Sequence, residues 1–507
     1  MSGTVIDALT WWARNIPTAP AIDFDGDVVT YRELDNWADG AAGDLRESGV
    51  KQGDRVAILG ANSLEWCAAA LGALKLGAIV TPFNQRLLGR ELAGLAEDCE
   101  PTVVYCDESL RSRLDEAQQT LPALRIKTLD DDIRPLRSGV HARVYAPVTA
   151  PSTPTSIIYT SGTTGSPKGV IFTHATIAGV AYEWTLIESV QPNSLRPLLV
   201  LPLFTAAGAV WGLYRSILNG GTLLLQPSFD PPKALRALTE QRATTLNGPP
   251  IIFEQIAAAP GFDEADLGNL STAHVGGARV PLELLRTWQR KGVSLRQIYG
   301  QTEIGGSATA MPRDEVAEHP EKCGWGGIFT KIRVVDTDGD DCAPGEVGQI
   351  LLRGPGMMPG YWRNEEATRE ALVDGWLHTG DMGTLDENGY LTFVDRIKDM
   401  IISGGLNISP TEIENVLQEI PGVEEAAVIG VPDPKFGETP AALLKASKEL
   451  DAKDVVEHCN QHLADYKVPR YVVFLDTNLP RMASGKIAKR ELRETYANVP
   501  QTHPKVR

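Results

Sequence analysis

The sequence predicts an α/β protein: a large N-terminal domain of parallel α/β sheets carrying a small antiparallel β-barrel, then a small α+β C-terminal domain. Three observations predict it. At 507 residues the chain exceeds what one hydrophobic core supports. Short apolar runs alternate with stretches of helical period, the pattern of parallel strands joined by crossover helices. After Lys331 the texture shifts to short strands and tight turns, and after Asp395 it shifts again.

The elements follow in order. Thr30-Tyr31-Arg32-Glu33 has capping-box spacing, and Leu34, Trp37, Ala38, Ala41 and Leu45 continue at helical period. Arg55–Leu59 reads as a buried strand, Leu64–Leu76 as a helix and Ala78–Thr81 as a strand. Arg86–Glu97 predicts an amphipathic helix and Thr102–Cys106 another strand. Proline-containing Ser138–Thr155 leads into a Gly/Ser/Thr-rich stretch, beyond which Leu198–Leu201, Thr222–Gln226, His274–Gly277 and Leu295–Tyr299 read as strands. Between Lys331 and Val394 come the turns Asp338-Gly339, Pro344-Gly345 and Asn388-Gly389. The last, set between Thr384-Leu385 and Tyr390–Val394, predicts a hairpin. Ser409-Pro410-Thr411-Glu412 supplies an N-cap, a first-position proline and a third-position glutamate for a helix reaching Gln418. A strand (Ala426–Val431), a helix (Val455–Leu463), a strand (Tyr471–Phe474) and a basic helix (Ile487–Tyr496) complete the chain.

Composition narrows the function. Hydrophobic residues make up 43% and charged residues 22%, ordinary for a globular protein. Net charge is −17 and the pI near 5.0, a poor match for nucleic acid or an anionic membrane surface. A phosphate ligand therefore needs a local basic pocket. The six cysteines lack C-x-x-C spacing, which argues against structural zinc and for reduced thiols. The first residues lack a signal-peptide pattern, and the most apolar window, Trp66–Val80, is interrupted by Lys75 and too short to span a bilayer. A cytoplasmic protein without membrane insertion is expected.

The Gly/Ser/Thr-rich stretch is Tyr159–Val170, Y-T-S-G-T-T-G-S-P-K-G-V. It places three glycines, five Ser/Thr hydroxyls and one lysine in twelve positions after apolar Ile157-Ile158. Glycines let backbone N–H groups approach an anion, hydroxyls donate hydrogen bonds, and lysine adds charge. Thr160, Ser161, Gly162, Thr163, Thr164, Gly165 and Lys168 thus form a candidate polyphosphate cradle, although the spacing is not that of a Walker A loop. The bland alternative is a flexible linker.

Further stretches carry chemistry. Tyr299-Gly300-Gln301-Thr302-Glu303 follows a strand, where open α/β sheets bind ligands, and Glu303 suits a hard cation. Gly276-Gly277-Ala278 ends another strand without bulk, leaving room for a flat base. Asp381, in W-L-H-T-G-D, can accept two vicinal hydroxyls, or it forms a structural ion pair with Arg396. Gly404-Gly405 either forms a tight turn or lets a narrow ligand pass. Lys486 lies in P-R-M-A-S-G-K.

Taken together, these stretches resemble the adenylate-forming enzymes: acyl-CoA synthetases, luciferases and peptide-synthetase adenylation domains. The resemblance covers nearly the whole chain. It implies an N-terminal AMP-binding domain over 1–397 and a mobile C-terminal domain over 398–507, pivoting at Lys398. It further implies that Tyr299 stacks on adenine beside Gly276, Gly277 and Ala278. Thr302 contacts the α-phosphate, Glu303 ligates Mg²⁺, Asp381 and Arg396 take the ribose, and Lys486 is the catalytic lysine. Gly404 and Gly405 face the pantetheine of CoA.

One departure stands out. Leu201–Gly208 reads L-P-L-F-T-A-A-G, with Thr205 where most relatives carry a histidine. Thr205, Ala206, Trp211, Gly277 and Ile298 are then expected to line an acyl pocket favouring an apolar tail. Arg279 and Arg286 keep a short dicarboxylate open. The expectation is an ATP-dependent, AMP-forming acyl-CoA synthetase for a fatty, cyclic or aromatic acid, using ATP, Mg²⁺ and coenzyme A. It would have no nucleic-acid partner, and a homodimer is among the assemblies it allows. A carrier-protein-loading adenylation enzyme, a luciferase-like oxygenase and a non-catalytic nucleotide-binding regulator remain the alternatives.

Overall fold

The alternating stretches build two large sheets. One has six strands in the order Arg125–Thr128, Val103–Cys106, Arg55–Leu59, Ile79–Phe83, Pro154–Thr160 and Lys168–Thr173. All neighbours are parallel except the last pair, which runs antiparallel. The computed structural model describes residues 3–145, 147, 150–160, 167–277, 280–403, 406–481 and 487–507. The strands on either side of the Gly/Ser/Thr-rich stretch, Pro154–Thr160 and Lys168–Thr173, pair antiparallel, with Thr160 opposite Lys168.

The second sheet has nine strands. Thr272–Gly276 sits between Leu295–Tyr299 and Thr245–Gly248, followed outward by Pro197–Leu199, Leu223–Leu225 and Pro20–Phe24, all parallel. Short antiparallel strands close its edges. On one face, Leu246, Ala273, Val275 and Leu295 join Phe253 and Trp288 in an apolar core.

Boundaries move where caps decide. The helix expected from Arg86 starts at Gly89, because the Leu88 N–H bonds to the Glu91 carboxylate at 2.9 Å and fixes the first turn there. An N-terminal helix, Val5–Asn15, is capped by a Thr4/Asp7 box that the sequence reading passed over. The Asn388-Gly389 hairpin forms as expected, pairing Thr384 with Thr392 and Leu385 with Leu391 within a five-stranded sheet.

The chain divides into two compact units. One comprises 1–332 with 352–378, the other 333–351 with 379–507. In the second unit, Val423–Asp433 and Gly437–Ala446 form a long antiparallel pair, joined in parallel by Tyr471–Phe474. Ala426, Val428, Ala442 and Leu444 enter one apolar layer, while Ala427, Ile429, Ala441 and Leu443 enter the other. Both faces are covered, as period-two alternation between two cores requires. The Ser409-capped helix runs Pro410–Gln418, where the sequence placed it.

Candidate active site

In the first unit, Thr160 and Lys168 pair across the antiparallel strands, and Thr160 Oγ donates to the Lys168 carbonyl at 3.4 Å. Ser161, Gly162, Thr163, Thr164, Gly165, Ala278, Arg279, Gly404, Gly405 and Lys486 lie outside the described residues. Lys168 places its ammonium 5.2 Å from the centroid of the Tyr361 ring. The Tyr361 hydroxyl donates to Glu303 Oε1 at 3.1 Å. Backbone pairing holds this arrangement. The Trp362 N–H bonds Gly169 O at 2.7 Å, the Ile171 N–H bonds Gly360 O at 3.2 Å, and the Met358 N–H bonds Glu303 O at 2.8 Å. A cation and a carboxylate far apart in sequence thus meet around one phenol.

Tyr361 was missed by sequence reasoning. Its only signal was the phrase Pro359-Gly360-Tyr361-Trp362, which names no chemistry. Burial, with the Glu303 carboxylate adding to it, pushes the phenol's pKa well above its ordinary range, so it stays a donor.

The Tyr299–Glu303 stretch turns sharply. A Cβ on Gly300 would lie 2.3 Å from Gly306 O, so only glycine fits. Gln301 Nε2 is buried without a hydrogen-bond partner, Thr302 opens a single 3₁₀ turn, and Glu303 is buried. On the neighbouring strand Gly276 pairs with Ile298, and Gly277 takes φ +78°. A buried carboxylate, the half-buried Thr302 hydroxyl, an orphaned donor and a lysine fit a nucleotide polyphosphate with a hard cation.

Thr205 does not act as a substitute imidazole. Its hydroxyl donates to Pro202 O at 2.8 Å and accepts the Gly208 N–H at 3.1 Å, capping the helical segment Ala207–Tyr214. Ala206 is buried beside it. Trp211 is buried, and its indole N–H donates to Gly305 O at 2.7 Å, just past Glu303. Arg286 is an exposed helix residue 3.8 Å from Glu283.

Within the second unit, Asp381 pairs with Arg396 across antiparallel strands, their charged atoms 3.6 Å apart. The ion pair considered as the bland alternative is therefore present, and a ligand hydroxyl would add to it. Asp395 accepts from Ser409 Oγ at 2.9 Å and from the Thr411 N–H at 3.0 Å, tying the strand end to the next helix. Lys398 follows on an exposed turn, its pKa lowered by partial burial and by Arg396. Arg481 bridges to Ile487, bracketing the segment that contains Lys486.

Family models decide the identity. The AMP-binding enzyme model matches residues 9–362, and the AMP-binding enzyme C-terminal domain model matches 412–486. The chain belongs to the AMP-binding enzyme family. This AMP-binding enzyme, a member of the adenylate-forming superfamily, is 38% identical over 490 residues to a feruloyl-CoA synthase of Amycolatopsis sp., covering 96% of this chain and 97% of that one. It is 35% identical to a long-chain-fatty-acid–CoA ligase of Mycobacterium tuberculosis, over 93% of this chain and 94% of the other. O-succinylbenzoate coenzyme A synthetase from Bacillus subtilis, in complex with ATP and magnesium ion, superposes with TM-score 0.86 at 30% identity, covering 96% and 99% of the two chains. Among the described residues, no helix of the AMP-binding enzyme is long and apolar enough to cross a membrane.

Proposed function

We propose that this AMP-binding enzyme is an ATP-dependent, AMP-forming acyl-CoA synthetase for a fatty, cyclic or aromatic carboxylic acid. It is an acid–thiol ligase that works with ATP, Mg²⁺ and CoA. The observation that carries the reading is the Lys168–Tyr361–Glu303 cluster at the strand ends of a chain that both family models match.

A carboxylate oxygen of the acid attacks the α-phosphorus of ATP, the bond to the bridging oxygen breaks, and pyrophosphate leaves an acyl-adenylate. The CoA thiolate then attacks the acyl carbon, and AMP departs with the cleaved C–O bond's electrons. Such transfer is mostly positioning and charge neutralisation. Lys168 and the Thr160–Gly165 loop hold the phosphates, and Gly276, Gly277, Ala278, Tyr299, Gly300 and Gln301 surround the base. Asp381 with Arg396 receives the ribose, and Lys486 stabilises the charge that develops during adenylation. Mg²⁺, when bound, neutralises phosphate charge, and Glu303 with Thr302 offers it oxygen donors. Thr205, Ala206, Trp211, Gly277 and Ile298 line the acyl pocket. Gly404 and Gly405 receive the pantetheine arm, and Lys398 is the hinge between domains 1–397 and 398–507. The acidic charge supports an enzyme with no nucleic-acid partner, and cysteines without C-x-x-C spacing support a cytoplasmic one.

The test is a carboxylic-acid panel scored by pyrophosphate release, with and without free CoA. The reading expects pyrophosphate with a subset of acids, and AMP plus thioester when CoA is the sole acceptor. Pyrophosphate without thioester would point to a carrier-protein acceptor. No pyrophosphate with any acid would leave a nucleotide-binding protein without turnover.

A further inference from the structure

The two faces of the central strands differ in character. One carries the apolar core. On the other, Asn247, His274 and Arg296 stand side by side in register on three adjacent parallel strands. Two residues further along that same face come Gly276 and Ile298, which the proposed function places at the acyl pocket. A row of polar side chains therefore lies one step beneath the pocket. A pocket for a plain alkyl tail needs none of them.

Part of the row is satisfied. Glu188 is paired with Arg296 and accepts the Thr272 hydroxyl at 3.0 Å. The rest is not. His274 is fully buried, with its Nε2 at ion-pair distance, 3.4 Å, from Glu188 Oε1 and its Nδ1 without a partner. Asn247 Oδ1 is buried and unbonded. Arg215 is 2% exposed, and neither its Nε nor its Nη2 finds an acceptor. Among the described residues no carboxylate lies within ion-pair distance of it.

Arg215 stands one helical turn after Trp211, with its guanidinium carbon 5.5 Å from that ring's centroid. Burial lowers its pKa to about 10, against an opposing pull from Glu188, so it remains a cation at neutral pH. Trp184 ties the parts together, its ring 5.2 Å from Trp211 and 5.0 Å from His274. A buried guanidinium without acceptors is expensive, several kcal/mol in general, unless something supplies oxygen atoms to it.

We propose that Arg215, with Asn247 and His274, forms a polar end wall to the acyl pocket that selects acids bearing an oxygen acceptor at the end distal to the activated carboxyl. Trp184 and Trp211 supply flat apolar sides, so the fitting acid is ring-bearing or chain-like with a terminal phenol, ketone or carboxylate. This rests on the acyl-CoA synthetase reading and names its substrate class. It replaces the simpler expectation of a wholly apolar tail.

Matched acid pairs test it: hydrocinnamate against its para-hydroxy derivative, and a straight-chain acid against its terminal keto acid and its dicarboxylate. Each ratio of kcat/KM for pyrophosphate release is internal to one enzyme preparation, so partial misfolding cancels. The wild type should favour an oxygenated member by roughly tenfold or more, because a site built for a polar group rejects the analogue lacking it. Arg215→Met should bring that ratio to about one, with a larger loss on the oxygenated acid than on the plain one. Arg215→Lys, which keeps the cation, should retain part of the preference and serves if the methionine variant does not fold. Which oxygenated partner wins separates a neutral acceptor from an anionic one. Wild-type ratios at or below one, or ratios unchanged in Arg215→Met, overturn the proposal. Silence with every acid instead removes the synthetase reading on which it stands.

Discussion

Two of the cations buried in the first unit are treated in opposite ways. Lys75 is fully buried at the end of the helix Leu64–Lys75. Its ammonium reaches Asp39 at 2.5 Å, Asp35 at 2.7 Å and the Asp35 carbonyl at 3.0 Å. Asp35 and Asp39 stand one turn apart on the helix Tyr31–Glu47, so both carboxylates face the same point. Three donors meet three acceptors. Arg215 is almost as deeply buried and has no such partners. A buried charge that the fold satisfies belongs to structure, whereas the unsatisfied one is what the proposed end wall of the acyl pocket draws on.

Substitutions can break or sharpen that contrast. The largest effect should come from Lys75→Met, which strands two buried carboxylates and should destabilise the protein by about 3–5 kcal/mol. Chemical denaturation reads it, and a loss under about 1 kcal/mol would remove the contrast on the structural side. Acid preference, measured on the folded fraction, should not change.

A lysine placed for chemistry should behave like neither. Lys486→Ala should slow pyrophosphate release on the order of 10²–10³-fold while leaving the denaturation midpoint in place. Thioester formation from preformed acyl-adenylate and CoA should survive, and its equal loss would take the lysine out of the adenylation step.

Glu188 is a buried carboxylate that the fold does satisfy. Burial alone would raise its pKa, but His274 and Arg296 outweigh that and hold it at about 2, against 4.5 ordinarily. A depressed carboxylate contributes stability present above pH 4.5 and lost as pH falls toward 2. The difference between wild type and Glu188→Gln should therefore shrink over that window by an amount on the order of 3 kcal/mol. A constant difference would mean that Glu188 is not ionised in the native state. The smallest stability effect belongs to Arg215→Met, which removes an uncompensated charge and should leave the midpoint unchanged or raise it. A loss above about 2 kcal/mol would class Arg215 with Lys75.

Some of this was legible in the chain because it is set within a few residues. The capping box at Thr30, the N-cap at Ser409, the hairpin at Asn388-Gly389 and the alternating runs formed where local chemistry put them. So did the strand ends bearing Thr160, Gly276 and Tyr299, where the motif residues cluster. What Thr205 does was not legible. Its position invited comparison with a histidine, yet the hydroxyl is engaged in capping its own helix.

By itself, then, the sequence determined the alternation, the caps and turns, and the phrases that mark an adenylate-forming enzyme, since each depends on neighbours along the chain. Only the tertiary structure decided that Lys168, Tyr361 and Glu303 meet, because sheet pairing between Gly169 and Trp362 closes a gap that no local pattern spans. It alone also decided that Lys75 is satisfied and Arg215 is not. Both are single basic residues in apolar helical runs, and the difference lies in which acceptors the packing of distant elements brings to each, or withholds.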